Sequence, residues 1–450
     1  MSDMGVAESA PVARVAGPGV RLLSVKRGFG WSLSGYAVYM LCQWAILVVL
    51  TRWGAPDLGD VALFAVALAV TTPIILFSNL GLRRVYASDS ASEFRFTDYF
   101  GLRMATNVAA LALIAGVAFA RGFRAEAVLA ILAMGAAKVV ESTTDILHGY
   151  FQERGRIDIG ARGTMMRGVL SLAGFLAAFL TTGSVPWAIL GMGAGWAAVL
   201  VFYEWPWALK LRRASSAGAS PARRKTRDLS RSWMKLANVA LPLGMVALVT
   251  SLKGSIPVFV IENHLGVTAL GLFVALIYFY NGSNRVVSAL GEAAATRLAT
   301  LYKAGNNRGV ARLIARMLTV ALAVSALGVV IAVAAGEPLL KLFYGPRCAG
   351  SGWLLVAIMV AVCVANFQTV LDYAMVSTRH FRIQPYLYGG GALLLLVLCA
   401  VFVPSQGLSG VALALGIVSG VELLAAGGVV AWAVTRLRAP ALPSVLETRV

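Results

Sequence analysis

Apolar runs of membrane-crossing length alternate with short polar breaks along this chain. A bilayer core of about 30 Å needs about 20 apolar residues in a helix. Runs of that kind place spans at 29–51, 60–82, 98–120, 126–148, 162–182, 186–208, 236–259, 269–292, 312–335, 352–376, 385–403 and 409–435. The pattern predicts an all-α polytopic membrane protein of about 12 transmembrane helices. Breaks on the outer side are short, as at 181–185 and 404–408; the one of any size is 336–352. No soluble domain is expected on either face.

The longest break, 210–235, is basic and Ser/Ala-rich, and it divides the spans six and six. The expected organisation is a disordered cytoplasmic tail (1–27), a six-helix half (28–209), a linker (210–235), a second six-helix half (236–435) and a cytoplasmic tail (436–450). An even number of spans orients both halves alike, which predicts parallel repeats around a central cavity. At an offset of 212 residues, Gly54-Ala55-Pro56-Asp57-Leu58-Gly59 aligns with Gly266-Val267-Thr268-Ala269-Leu270-Gly271. The same offset pairs Thr71-Thr72-Pro73 with Ser283-Asn284-Arg285, just after Asn281. Pro73 lacks an N–H and clashes with the carbonyl four residues back. Thr71 and Thr72 are expected to satisfy backbone groups freed there. Paired interruptions of the second helix in each half point to a transporter's central site.

Charge adds orientation. The chain is 59% hydrophobic with mean hydropathy +0.79, yet its net charge is +19. Basic residues gather in every second break: Arg14 to Arg27, Arg83 to Arg103, Arg154 to Arg167, Lys210 to Lys235, Arg285 to Arg316, Arg379 with Arg382, and Arg436 to Arg449. The other side holds Arg52, Arg121, Arg124, Lys341 and Arg347. That bias predicts cytoplasmic termini. A pI of 10.3 also fits nucleic-acid binding, but the charges are spread between apolar runs, so anionic membrane lipid is the expected partner and nucleic acid is not. The polar N-terminal stretch reads as a tail rather than a signal peptide.

Little points to enzyme chemistry. Cys42, Cys363 and Cys399 lie in apolar runs and Cys348 in an outer loop, so no disulfide framework is expected. His148, His264 and His380 are scattered, and no metal-ligand spacing, nucleophile elbow, phosphate loop or dinucleotide fingerprint occurs. The expectation is no catalytic residue, no metal and no cofactor.

The charges inside the spans are more informative. Lys138, Glu141, Ser142 and Asp145 recur at spacings of three and four and share one helix face. Two readings stand: a polar cavity lining in which Asp145 or Glu141 takes up a proton or Na⁺, or a self-neutralised Lys138–Glu141 pair. Lys253, Asp372 and Glu422 also lie in spans, with Glu262 at an outer end. Asp372 is a third candidate for ion coupling. A guanidinium at bilayer depth costs at least ~2.5 kcal/mol and faces a cavity or a partner. Lys253 and Arg285, with Asn281 and Asn284 beside them, are therefore candidates for holding an anionic group. Lys138, Arg83 and Arg84 follow, the last two also readable as interface anchors. A pyrophosphate suits such a set, because guanidinium forks and ammonium charges complement phosphate oxygens. Along the first span, Trp31 reads as an interfacial residue, and Tyr39 and Trp44 as packing or sugar-stacking rings.

Several segments carry a family likeness. They are Gly35-Tyr36-Ala37-Val38-Tyr39 with Gln43-Trp44; Asn79 to Asp89, with Arg83 and Arg84; Glu141, Ser142, Asp145 and Gly149 to Gln152; Ile256-Pro257 to Glu262 with Gly266 and Leu270-Gly271; and Leu342 to Gly345. From about residue 28 to 435 the chain resembles the Wzx-type oligosaccharide flippases of the multidrug/oligosaccharidyl-lipid/polysaccharide exporter superfamily. One departure is Val258, where the family pattern has a basic residue after the proline. The resemblance implies a monomer in the bacterial inner membrane. It would move an undecaprenyl-diphosphate-linked oligosaccharide to the outer leaflet, coupled to H⁺ or Na⁺. It would work with glycosyltransferases and a polymerase in capsule, exopolysaccharide or O-antigen assembly. A multidrug/cation antiporter of the same superfamily is the first alternative, and wants an anionic or aromatic cavity. A membrane polysaccharide polymerase or ligase is the second, and wants a large outer loop.

Overall fold

The structure is a computed structural model that describes residues 25–88, 94–216, 229–378 and 383–435. Both expected tails apart from residues 25–27, the middle of the linker, Asp89, Arg379, His380 and Arg382 lie outside the described residues. The described residues form helices joined by short turns, with no strand among them: α1 (Val25–Trp53), α2 (Gly59–Ser78), α3 (Leu82–Ser88), α4 (Phe96–Ala120), α5 (Ala125–Glu153), α6 (Ile157–Thr182) and α7 (Val185–Val199), then a π turn (Leu200–Glu204). They continue as α8 (Trp205–Ser216), α9 (Leu229–Lys303), α10 (Asn307–Tyr344), α11 (Gly352–Ser377), α12 (Gln384–Gln406) and α13 (Leu408–Thr435), with a 3₁₀ turn (Pro346–Cys348) before α11. Eleven of the described helical stretches are long and apolar enough to cross a membrane. One of them, Ser232–Ala295, has 64 residues. At 1.5 Å per residue it is roughly three bilayer cores long, so it supplies two crossings. Its only non-helical backbone is at Gly266, with φ 80°. That conformation is open to glycine and strained for other residues, so the expected loop between the seventh and eighth spans is a one-residue kink. Large apolar side chains such as Phe202 (81% exposed) and Leu424 (78%) point outward, as lipid allows and water does not. The chain is a multi-pass helical membrane protein.

Packing divides it into two compact units, one of residues 1–46 and 74–244, the other of 47–73 and 245–450. The first is built around Tyr86, Tyr99, Tyr150 and Phe151 with Leu82, Ile146 and Leu236. Tyr86 meets Tyr99 edge-on at 4.9 Å, and its hydroxyl donates to Glu153 at 2.7 Å. The second has its core at Val287, Leu298, Val310, Met317, Val370 and Met375.

Three expectations need correction. The anticipated interruption at Pro73 is no break: α2 runs through it to Ser78. Proline removes one donor, and the carbonyl it orphans is that of Ala69. Thr71 does not fill the gap, because its hydroxyl donates to Ala67 at 2.7 Å. Ser255 of α9, 4% exposed, donates to the Ala69 carbonyl at 2.9 Å. Ser255→Ala should leave that carbonyl unsatisfied and cost about 1–3 kcal/mol. Adding Pro73→Ala should restore most of it, by returning the N–H; thermal midpoints of both variants check this. The counterpart at 283–285 is not interrupted either. With no proline there, α9 stays helical, and the polar side chains bond between helices. Asn366 of α11, fully buried, donates to Ser283 at 3.1 Å and to Ser325 of α10 at 2.9 Å. Asn284 donates to Asn366 at 3.3 Å and to Thr369 at 2.9 Å.

The expected outer loop at 336–352 is also mostly helix, since α10 continues to Tyr344. Two arginines tie its end down. Arg52 donates to the carbonyls of Leu342 and, at 3.0 Å, Phe343. Arg347 donates to those of Gly54 at 2.7 Å, Thr51 and Ala55 at 3.2 Å. Each cation satisfies carbonyls at the other helix's C-terminus, where positive charge is favoured. These basic residues of the sparse side have structural work. Next to them Cys348 is fully buried, and burial pushes its thiol up to about 11. The thiolate is the reactive form, so a variant keeping only this cysteine should resist maleimide at pH 7–8. Labelling should rise only as pH climbs towards 11 or the fold opens, which mass spectrometry will report.

Candidate functional site

The face of α5 predicted from helical spacing collects charge from four other elements of the first unit. Asp145 accepts from Arg83 of α3 and Arg103 of α4, each at 3.3 Å. Arg103 also donates to Asn79. Ser142 Oγ lies 2.6 Å from Asn79 Oδ1 and 2.8 Å from Asn107 Oδ1, closing a polar knot. One turn away, Glu141 accepts from Lys138 at 2.8 Å and from the Tyr39 hydroxyl at 3.4 Å. The Arg167 guanidinium lies 5.7 Å from the Tyr39 ring centre, and Lys138 lies 5.8 Å from that of Trp196. A further turn on, His148 meets Glu204 at 2.9 Å.

Among the described residues, Arg83, Arg103, Lys138 and Arg167 thus face Asp145, Glu141 and Glu204, and cations outnumber carboxylates by one. Arg83 is 41% exposed and Asp145 32%, whereas Arg103 is fully enclosed. The open members can meet a ligand; the enclosed one holds Asp145 in place. Arg84, the neighbour of Arg83, interacts within the described structure.

In the second unit Lys253 is held by both oxygens of Glu422, at 2.6 and 2.7 Å, and lies 5.6 Å from the Tyr388 ring centre. Glu422 is 1% exposed. Gly391 of α12 abuts that carboxylate so closely that a Cβ there would displace it. Asp372, one turn from Gln368, accepts from it at 2.7 Å and makes no ion pair among the described residues. Asn284 belongs to the Asn366 knot, while Asn281 and Arg285 are exposed on α9. Lys253 and Arg285 are therefore in different surroundings, one enclosed with its carboxylate and one on the exposed face of α9.

Four side chains of these charged clusters escaped the sequence reading. Arg103 and Arg167 were grouped with loop charges, although both fall inside apolar spans, and they are 0% and 7% exposed. Glu204, the partner of His148, and Tyr388 were not singled out. An acid within the apolar run 186–208 was the available signal for Glu204. It sits in the π turn, a distortion frequent at functional sites.

The fold is that of a polytopic helical protein and resembles the one solved for MATE-type transporters of the MOP superfamily. A solved structure described as the inward-facing conformation of a multidrug resistance MATE family transporter superposes with a TM-score of 0.72, at 13% identity, over 90% of this chain and 98% of that one. A MOP superfamily transporter from Pyrococcus furiosus, described as having a binding pocket of reversed polarity that suggests a different function, gives 0.59 at 15% identity, over 92% and 95%. In sequence the chain is 20% identical over 398 residues to the capsular polysaccharide biosynthesis protein CapF of Staphylococcus aureus, covering 88% of this chain and 97% of that protein. No family model matches.

Proposed function

We propose that this protein is a flippase. It carries an undecaprenyl-diphosphate-linked oligosaccharide across the bacterial inner membrane by alternating access, for surface polysaccharide assembly. The observation that carries this reading is the excess of cations on the α5 face, where Arg83, Arg103, Lys138 and Arg167 outnumber Asp145, Glu141 and Glu204. Fixed cations in a low-dielectric setting attract a diphosphate strongly. The similarity to a capsular polysaccharide protein supports the same substrate class. Both termini are cytoplasmic in this reading, so an inside-negative potential favours export of the anion. Of the three coupling candidates, Asp372 suits H⁺ or Na⁺ best, since Asp145 and Glu141 already neutralise cations.

The rival reading, a multidrug/cation antiporter, is favoured by likeness to a multidrug MATE transporter. Excess positive charge repels cationic drugs and weighs against it. The test is complementation of a strain lacking its capsule flippase. The wild-type chain should restore surface polysaccharide, and Arg83→Ala with Lys138→Ala should reduce it at least about tenfold while protein levels hold. Unchanged polysaccharide in that double variant would sink the cationic-face reading, and drug resistance without polysaccharide would favour the rival.

A further inference from the structure

In the second unit a cavity of about 350 Å³ opens where α9 turns into α10, lined by no residue of the Lys253–Glu422 pair. Its lining includes Arg297 of α9, Arg312 and Arg316 of α10, Asn306 in the turn, and Leu301 and Leu313. We propose that this cavity binds a phosphoryl anion, the chemistry shared by an anionic lipid headgroup and free phosphate, at a site distinct from the transport path.

Four observations lead there. Arg312 and Arg316 are one helical turn apart and share an exposed face, where like charges repel weakly and a bound anion would relieve the repulsion. Arg297 adds a third cation, and among the described residues none of the three makes an ion pair. The first turn of α10 contains no acid. Asn306 caps α10 by accepting from the Gly309 N–H at 2.8 Å, and both residues line the cavity, so the positive end of the helix borders it.

Depth supplies the last argument. From Met317 to Gly336 α10 has no charged residue, and that stretch spans about 30 Å at 1.5 Å per residue. It fills a hydrocarbon core of about 30 Å, so Arg316 sits at its edge, where lipid phosphates lie. The cavity volume is at the small end for ligand sites, which run from about 300 to 1,000 Å³. It therefore takes a headgroup or an ion, not an oligosaccharide. Arginine forks match phosphate oxygens in pairs.

The experiment uses the full-length protein in neutral detergent. Its thermal midpoint and retained adducts (by native mass spectrometry) are followed against sodium phosphate, phosphatidylglycerol and phosphatidylcholine. Saturable binding of phosphate or phosphatidylglycerol, but not phosphatidylcholine, is expected. Arg312→Gln, Arg316→Gln and Arg297→Gln should each weaken it about tenfold. Arg308→Gln, on the same helix but off the cavity, should bind as wild type. Ligand-free midpoints equal to wild type establish that these variants are folded, and Arg312→Lys, which keeps the charge, should lose less than Arg312→Gln. Response to phosphatidylglycerol alone assigns a lipid headgroup, and response to phosphate alone a soluble anion. No binding of either, or equal weakening in Arg308→Gln and Arg312→Gln, would overturn the site. Neither result touches the flippase reading, whose test is complementation.

Discussion

Asp145→Ala will destabilise the first compact unit by about 3 kcal/mol, because it strips the carboxylate from a guanidinium with no route to water. Arg103 is fully buried and keeps only Asn79 and Ser142 as partners once Asp145 is gone. Arg83 is 41% exposed and can turn to solvent, so it contributes little to the loss. The thermal midpoint in detergent should fall clearly, and under the flippase proposal complementation should be lost with it. Asp145→Asn keeps one acceptor oxygen for Arg103 and should cost less. The discriminating variant is Arg103→Leu with Asp145→Ala. Removing both charges removes the unpaired ion, so much of the stability returns while transport stays lost. If the double variant were no more stable than Asp145→Ala, the pairing would not be what holds this face together.

The second large effect is at the other pair. Lys253→Ala leaves Glu422, 1% exposed, without its cation. The expected cost is again about 3 kcal/mol. Lys253→Ala with Glu422→Leu should recover most of it. Gly391→Ala should behave like a weaker Lys253→Ala, because its methyl group displaces the same carboxylate. Thermal midpoints of the four proteins decide the matter. If Lys253→Ala melted as wild type, Glu422 would have to be reaching water, and the enclosed pair would be ruled out. The same variants separate two roles for Lys253. A purely structural lysine predicts that the stabilised double variant still complements, whereas a substrate-holding one predicts that it does not.

How much was legible beforehand differs from residue to residue. Span placement was legible because it depends on local hydrophobic length: 385–403 was expected and α12 is Gln384–Gln406. The α5 face was legible because helical spacing alone sets which side chains align. The apparent breaks were misread for a specific reason. Proline and asparagine signal that a backbone or side-chain group needs a partner, and they do not say who supplies it. For Pro73 the supplier, Ser255, lies 186 residues from the carbonyl it serves. For Ser283 and Asn284 it is Asn366, more than 80 residues on. Arg103 and Arg167 were hidden by a sound rule, since basic residues near span ends usually anchor at the interface. Only burial distinguishes the two cases.

By itself the sequence determined the helices and the positions of the ionisable groups within apolar stretches. Those follow from side-chain hydrophobicity and a 3.6-residue repeat, which act over neighbouring positions. The tertiary structure decided which of those charges are spoken for. Lys253 is matched by a glutamate 169 residues away, Asp145 by arginines 62 and 42 residues away, and the arginines at 297, 312 and 316 by none of the described carboxylates. Ion pairing depends on distance in space and on exclusion of water, and neither is written along the chain.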